Sequence, residues 1–445
     1  MLKYSFTIVF CFIAYVAMGQ EVLTLDSCRH KALEHSQNVK TAEADYSISK
    51  ASHKLSKLGR LPQFDFSATY NYMNKPQIME IPGFELPTLG GLPSGVYYPG
   101  GVTNLTYHNN YSGGVDLSLP LYLGGKLRHY VKMSEYGVGM AEHNLTNTKE
   151  NLILQVDQQY WALVSLKENL NVLNKAVKML EGVVTQTQNW ADVGLLTGNE
   201  VLKVKVELNN AKLSVINLNN NISLAKMALN QTMGKSILDD IVVEDSVVIA
   251  SDSPVMVADI EQKAEERHEL QILANQVNIS EEDRKAVRSD YLPQLVSFAN
   301  YGFQNPNHKA QDETEMAFVA GVSVSIPVFH WGERHVKMQM KNMESQKAQL
   351  TYDKAKEGLI LEIQQCVYQV NESLVKIDFT EESLEQADEN LQMELNRLNE
   401  GIVTTTDVLD AQVQWQRAYA DFIDSKVNYK VNLLHYKKVM GSLNY

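Results

Sequence analysis

The chain has 445 residues, 44% hydrophobic and 21% charged, which is close to the average of folded proteins and excludes disorder, collagen and a bundle of membrane helices. A formal net charge of −13 argues against nucleic acid as a partner, since phosphate binding needs a basic face. Of eleven prolines, Pro76, Pro82, Pro87, Pro93 and Pro99 crowd one segment and none lies between Gly124 and Gly234 or after Trp331; an interior proline costs a helix about 3 kcal/mol, so long helices fit those two stretches.

Residues 1–19 carry one charge, Lys3, then an apolar run from Tyr4 to Val16 and the small-x-small sequence Ala17-Met18-Gly19. That is the pattern of a secretory signal, and the run is short for a membrane anchor. Residues 20–238 then read as one structural repeat: helix, strand, loop, strand, helical hairpin. In the first strand, about 62–74, Phe64, Phe66, Ala68, Tyr70 and Tyr72 alternate with Gln63, Asp65, Ser67, Thr69 and Asn71, a period of two that leaves one wet face. The proline-rich segment 73–103 reads as an ordered but irregular surface loop. A second strand, about 111–121, alternates Val115, Leu117 and Leu119 with Asp116 and Ser118. In the helical hairpin 126–234, Val156, Tyr160, Leu163, Leu166, Leu170, Leu173, Val177 and Leu180 step by threes and fours, a coiled-coil seam. Lys126 to Trp190 would extend about 100 Å. The chain turns back at Gly194 and returns to Met233-Gly234.

Residues 239–258, acidic and holding Pro254, read as a linker. The second repeat, 259–445, has strands about 293–304 (Leu295, Ala299, Tyr301, Phe303) and 317–328 (Phe318, Ala320, Val322, Val324, Ile326). Its helical hairpin, 333–441, carries Leu359, Ile363, Cys366 and Val370 on its seam and turns at Gly401. One offset of 207 residues links Pro120 to Pro327, Gly194 to Gly401, Thr197 to Thr404 and Gly234 to Gly441. Upstream, Leu61-Pro62-Gln63 matches Leu292-Pro293-Gln294 at 231; the 24-residue difference is extra chain between Gln63 and Val115. A strand of about ten residues crosses a bilayer when tilted in a barrel. Four strands cannot close a barrel and unpaired edges are intolerable in lipid, so the chain must oligomerise.

With its tandem halves, the Leu-Pro-Gln strand entries, the Pro120-Leu-Tyr-Leu-Gly-Gly and Pro327-Val-Phe-His-Trp-Gly exits, and the turns Gly194-Leu-Leu-Thr-Gly-Asn-Glu-Val-Leu and Gly401-Ile-Val-Thr-Thr-Thr-Asp-Val-Leu-Asp, the chain resembles the TolC family of outer-membrane efflux proteins from Glu21 to Gly441. The resemblance implies a mainly α trimeric duct with a membrane β-barrel, each chain giving four strands and long coiled-coil helices. It also implies a passive channel-tunnel through the outer membrane and periplasm, docked to a periplasmic adaptor and an inner-membrane transporter. Asp407 and Asp410, three apart and so on one helical face, match family positions that ring the periplasmic entrance. Gly194, Leu195, Gly401 and Val403 match adaptor-contact positions. Where the family latches the entrance with Tyr and Arg, this chain has Leu398 and Val403; Glu200 matches the latch's acidic partner.

The same turns have a local explanation. Each glycine lets the chain leave a helix, and Thr197 with Glu200, or Thr404 with Asp407, spells a capping box. Phe64, Phe66, Tyr70, Tyr72, Tyr301 and Phe303 suit either lipid or a sandwich core; with no further strands to build a sandwich, lipid is favoured. Gly124-Gly125-Lys126 is no phosphate loop, because Pro120 and Leu127 occupy required positions. No cofactor motif, zinc spacing or nucleophile elbow is visible, so an enzyme is not expected. The alternative function is a periplasmic coiled-coil adaptor or scaffold, which would share the signal and hairpins but has no use for four alternating strands.

Overall fold

The computed structural model describes residues 22–85, 97–243 and 254–443. The expected signal at 1–19 lies outside them, as do the middle of the 73–103 segment and the middle of the 239–258 linker. Along the chain run β1 (Val22–Leu23), α1 (Leu25–His35), α2 (Gln37–Leu58), β2 (Gln63–Tyr72), β3 (Ile78–Ile81), β4 (Phe84–Glu85), β5 (Tyr97–Tyr98), β6 (Gly101–Asn104), β7 (Asn109–Leu123), α3 (Lys126–Asp192) and α4 (Gly198–Thr232). Then come β8 (Val242–Val243), α5 (Ile260–Glu266), α6 (His268–Ser289), β9 (Gln294–Asn305), β10 (Glu315–Ser325), α7 (Glu333–Asn399) and α8 (Thr405–Val439). Both ends of α3 recur in α7, and both ends of α4 in α8, at the 207-residue offset read from the sequence.

Two compact units form, one from the residues up to Ser47 with Met140–Ala274 and Thr351 onward, the other from Ile48–Gly139 and Asn275–Leu350. In the first, the seam residues Val156, Tyr160 and Leu163 are buried with Leu23, Cys28, Ala32, Leu229 and Met233. Each fully buried large aliphatic contributes about 1.5–3 kcal/mol. The linker's described ends are held to this unit: Val242 and Val243 pair in parallel with Val22 and Leu23, and Asn371 bonds both the N–H and the C=O of Val255. One ion pair is deeply placed. Arg29 grips Asp157 through Nε at 2.7 Å and Nη2 at 2.5 Å, with the Asp157 side chain only 2% exposed. Burial pushes the Asp157 carboxyl up and the Arg29 guanidinium opposes it.

The second unit holds a four-stranded antiparallel sheet in the order β10-β9-β7-β2, whose outer strands β10 and β2 have one neighbour each. Its register puts Phe66, Val115, Tyr301 and Phe318 in one row across all four strands. The alternate face carries Asp116, which accepts from Asn300 Nδ2 at 2.7 Å and Ser67 Oγ at 3.2 Å. Gly113 is small because Phe303 covers it: an added Cβ would come within 2.8 Å of the ring.

Three expectations need correction here. The segment 73–103 is not irregular where described. β3 pairs β6 and β4 pairs β5, because the β-forming residues Ile78–Ile81 and Phe84 lie between the prolines and so keep their backbone donors. The second strand does not stop at about 121: β7 runs on to Leu123 through a register shift between Pro120 and Tyr122, a bulge where proline's missing N–H is tolerated. β10 stops at Ser325 rather than near 328, since its mate there is Gln294, the first residue of β9 after Pro293.

Candidate functional site at the hairpin turns

The long helices α3 and α7 end in the same way. Gly194 takes φ 78° and Gly401 φ 72°, and the following residue bonds five positions back, Leu195 N to Trp190 O at 2.8 Å and Ile402 N to Arg397 O at 2.9 Å. This left-handed C-terminal motif satisfies carbonyls that the helix leaves open. Nothing lies within 4 Å of where a Cβ would sit at either glycine, so conformation, not space, selects glycine.

The helix starts that follow differ. Thr404 and Asp407 form a capping box: Thr404 N–H donates to Asp407 Oδ2 at 2.8 Å, Thr404 Oγ1 to the same oxygen at 2.7 Å, and Asp407 N–H to Thr404 Oγ1 at 3.4 Å. The Thr404 hydroxyl and backbone N–H hold the exposed Asp407 carboxyl below the usual range, so its charge persists in acid. Asp410 is also exposed, one turn on along α8. Thr197 sits at the N-cap of α4 but makes no side-chain cap bond, so the box expected with Glu200 does not form. The Glu200 carboxylate is taken instead by Lys203 Nζ at 2.8 Å and by the hydroxyl of Thr405, and Lys203 first, then Thr405, hold it low.

That hydroxyl ties the two hairpins together within the chain. Beside it Gln186 Nε2 donates to Asn399 Oδ1 at 2.5 Å, and Leu180, Val183, Val204, Leu208, Leu398 and Val408 form an apolar cluster with Val403 packed against it. Leu398 and Val403 therefore turn inward, while Leu195 is 73% exposed and Gly194 and Gly401 are exposed. Thr405 was not singled out from the sequence. The signal was present: with Val408, Gln412 and Trp415 it falls on one helical stripe, and it is 2% exposed.

In the sheet, Phe64, Phe66, Tyr70, Tyr72, Tyr301 and Phe303 all lie on one face by register. Phe64 and Phe66 are 70% exposed, whereas Phe303 is half-buried and tilts against Tyr111 at 6.5 Å. Among the described residues no helix is long and apolar enough to cross a membrane, and no three His, Cys, Asp or Glu are grouped to hold a metal.

The sequence profile of the family described as "Outer membrane efflux protein" matches residues 28–235 and 260–442. The chain belongs to the outer membrane efflux protein family. It is 21% identical over 327 residues to "Outer membrane protein TolC" of Escherichia coli (strain K12), an alignment covering 70% of this chain and 66% of that protein. With "Outer membrane protein TolC" of Vibrio cholerae it shares 20% over 341 residues, 75% of this chain and 77% of the relative. Among solved structures, the Campylobacter jejuni CmeC outer membrane channel superposes with a TM-score of 0.75 at 19% identity, covering 94% of this chain and 85% of that one. The outer-membrane channel OprN superposes with a TM-score of 0.79 at 16% identity, covering 94% and 90%. The fold is thus that of the family's trimeric channel-tunnels, mainly helical, with a barrel to which each chain gives four strands. This outer membrane efflux protein is a passive export channel of the bacterial outer membrane, and the adaptor alternative falls away.

Proposed function

We propose that three copies of this chain close a twelve-stranded barrel and the tunnel beneath it, and that the hairpin turns form the periplasmic entrance. A periplasmic adaptor docks there and couples the duct to an inner-membrane transporter. The observation that carries the assembly is the pair of open sheet edges, β2 and β10: in hydrocarbon each unpaired backbone group costs several kcal/mol, so the edges must meet between chains. Apolar stripes support it. On α4, Leu202, Val206, Leu213, Ile216 and Leu224 are each more than half exposed, as are Leu361, Tyr368 and Val375 at heptad spacing on α7, faces suited to neighbouring helices. The aromatic sheet face meets lipid and the Asp116 face lines the lumen. The repeats at 20–238 and 259–445 would each supply half of one chain's share of the wall, joined by the linker at 239–258.

At the entrance, Asp407 and Asp410 from three chains become two stacked acidic rings. The cap and the ring are compatible, since the cap bonds hold Asp407 ionised and the side chain remains exposed. The Glu200–Thr405 bond and the inward-packed Leu398 and Val403 take the place of the family's Tyr and Arg latch. Gly194, Leu195 and Gly401 form the exposed rim offered to the adaptor, with Val403 supporting it from beneath. Asp407→Asn with Asp410→Asn reduces cation preference and block by multivalent cations in single-channel recordings of the purified trimer; unaltered selectivity and block overturn the ring. Recovery of the protein as soluble periplasmic monomers overturns the duct.

A further inference from the structure

The two repeats pair their strands by one rule, and the rule extends past the edges of the sheet. Each repeat contributes a pair, β2 with β7 and β9 with β10. Strands β2 and β9 correspond at the 231-residue offset, β7 and β10 at 207. Under those offsets Phe64 opposite Leu117 becomes Leu295 opposite Val324, and Asp65 opposite Asp116 becomes Val296 opposite Ser323; both are the pairs observed. The two strand pairs thus repeat without a slip. So does the backbone that leaves them: Gly124 and Gly125 take φ 63° and 90°, Trp331 and Gly332 φ 46° and 81°.

Between the two pairs, β7 meets β9 with Val115 opposite Tyr301, Asp116 opposite Asn300 and Ser118 opposite Phe298. Carried forward by the same offsets, this contact falls on β10 and β2, the two open edges, which cannot reach each other within one chain. Given the trimeric duct proposed above, on which this pairing rests, we infer that β10 of one copy joins β2 of the next in the register of β7 on β9. Val322 then lies opposite Tyr70 of the neighbouring copy, Ser323 opposite its Thr69 and Ser325 opposite its Ser67.

The chemistry of the two faces agrees. Val322 and Tyr70 belong to the apolar face and are 59% and 64% exposed, whereas Ser323, Ser325, Ser67 and Thr69 fall by register on the face of Asp116. A slip of one residue sets Val322 against Thr69 and mixes the faces. A slip of two keeps them apart, so polarity alone does not select the register and the repeat does. Below the strands, α3 meets α6 within the chain where His129 Nδ1 lies 2.7 Å from Glu282 Oε2. The offsets turn that pair into Val336 on α7 and Ala51 on the next copy's α2. Around them Val336, Met340, Ile48, Leu55 and Leu58 are 47–69% exposed, so the seam between chains is apolar where the seam within a chain is ionic. It is also the wider of the two at the junction: a Cβ on Gly124 would meet Ser289 O at 2.5 Å, and the equivalents of these residues are the bulky Trp331 and Leu58.

Four cysteine pairs in the full-length protein test the register. Ser323→Cys with Thr69→Cys and Ser325→Cys with Ser67→Cys are opposite one another; Ser323→Cys with Ser67→Cys and Ser325→Cys with Thr69→Cys use the same positions two residues out. Within a chain β2 and β10 stand three strand spacings apart, about 14 Å, and a disulfide needs Cα atoms within about 7 Å, so every bond formed joins two copies. Detergent-purified protein is oxidised with copper phenanthroline and run on non-reducing denaturing gels, with the wild-type chain, whose Cys28 and Cys366 are buried, as the baseline. Opposite residues lie about 4.5–5.5 Å apart and diagonal ones about 7–8 Å, so the first two variants should give at least about tenfold more covalent dimer and trimer than the swapped pair. Where a double variant fails to assemble, mixed assemblies of Ser323→Cys chains with Thr69→Cys chains, set against Ser323→Cys with Ser67→Cys chains, answer the same question. Linkage through the swapped pairs, or through none in protein that light scattering shows to be trimeric, overturns the register and leaves the trimer standing. Protein that is monomeric before oxidation overturns both.

Discussion

Thr405→Val is the substitution that isolates the bond between the two hairpins. It exchanges a hydroxyl for a methyl of similar size at a residue 2% exposed, so packing with the Leu398 and Val408 cluster is kept while Glu200 loses one donor. A hydrogen bond to a charged group contributes about 1.5–3 kcal/mol. The lower end applies here, because the Glu200 side chain is 22% exposed and keeps Lys203 at 2.8 Å. About 1.5 kcal/mol shifts the ratio of open to closed turns by about tenfold per chain, and by up to about a thousandfold if three chains move together. In planar bilayers the variant should spend more time in high-conductance states, and cells carrying it should become more sensitive to bulky antibiotics that the closed entrance excludes. Thr405→Ser keeps the hydroxyl and should behave as wild type. A Thr405→Val trimer with unchanged conductance and dwell times, or a Thr405→Ser variant as leaky as Thr405→Val, would show that this bond does not hold the turns together.

Other substitutions reach different parts of the chain. Arg29→Met leaves Asp157 buried without its partner and should lower stability by about 3 kcal/mol, with most of the loss recovered on adding Asp157→Leu; urea melts of both variants check this. His435 has its pKa raised from 6.5 to about 9, so its partners stabilise the fold fully below pH 6.5, and that contribution is lost as pH rises through 9. The difference in melting temperature between wild type and His435→Gln should therefore shrink between those limits. Glu269 runs the other way: burial pushes its carboxyl up, Arg267 outweighs burial and holds it at about 2. Its contribution is present above 4.5 and fades as pH falls through 2, so Glu269→Gln should narrow the gap to wild type in strong acid. Gly401→Ala meets no neighbouring atom and pays only for the left-handed backbone, about 1–2 kcal/mol, visible as faster amide exchange at the end of α7.

The elements with strong periodicity were legible in the sequence. Leu163, Leu180 and Ile363 repeat at helical spacing for so many turns that no other structure buries them, and the alternation from Gln63 to Tyr72 admits only a strand. What escaped was decided by competition between partners. Thr197 and Glu200 spell a capping box as well as Thr404 and Asp407 do, but a Lys203 one turn away and a Thr405 from the other hairpin claim the first carboxylate, and that second donor is distant in sequence. The strand expected to stop at about 121 runs on to Leu123, because the bulge that accommodates Pro120 depends on the neighbouring strand β9. The pairing of β3 with β6 was hidden by proline density, though the segment's described prolines, Pro76, Pro82 and Pro99, all lie outside the strands.

The open edges of the four-stranded sheet carry a genetic consequence. A chain in which pairing of β2 or β10 is weakened rather than abolished keeps its helices and their exposed apolar stripes, so in the proposed trimer its defect spreads to the copies beside it. Co-expressed in equal amounts with wild type and mixing at random, such a chain leaves about one assembly in eight free of it. Alleles damaged in an outer strand should therefore behave as dominant, whereas alleles that abolish folding altogether should be recessive.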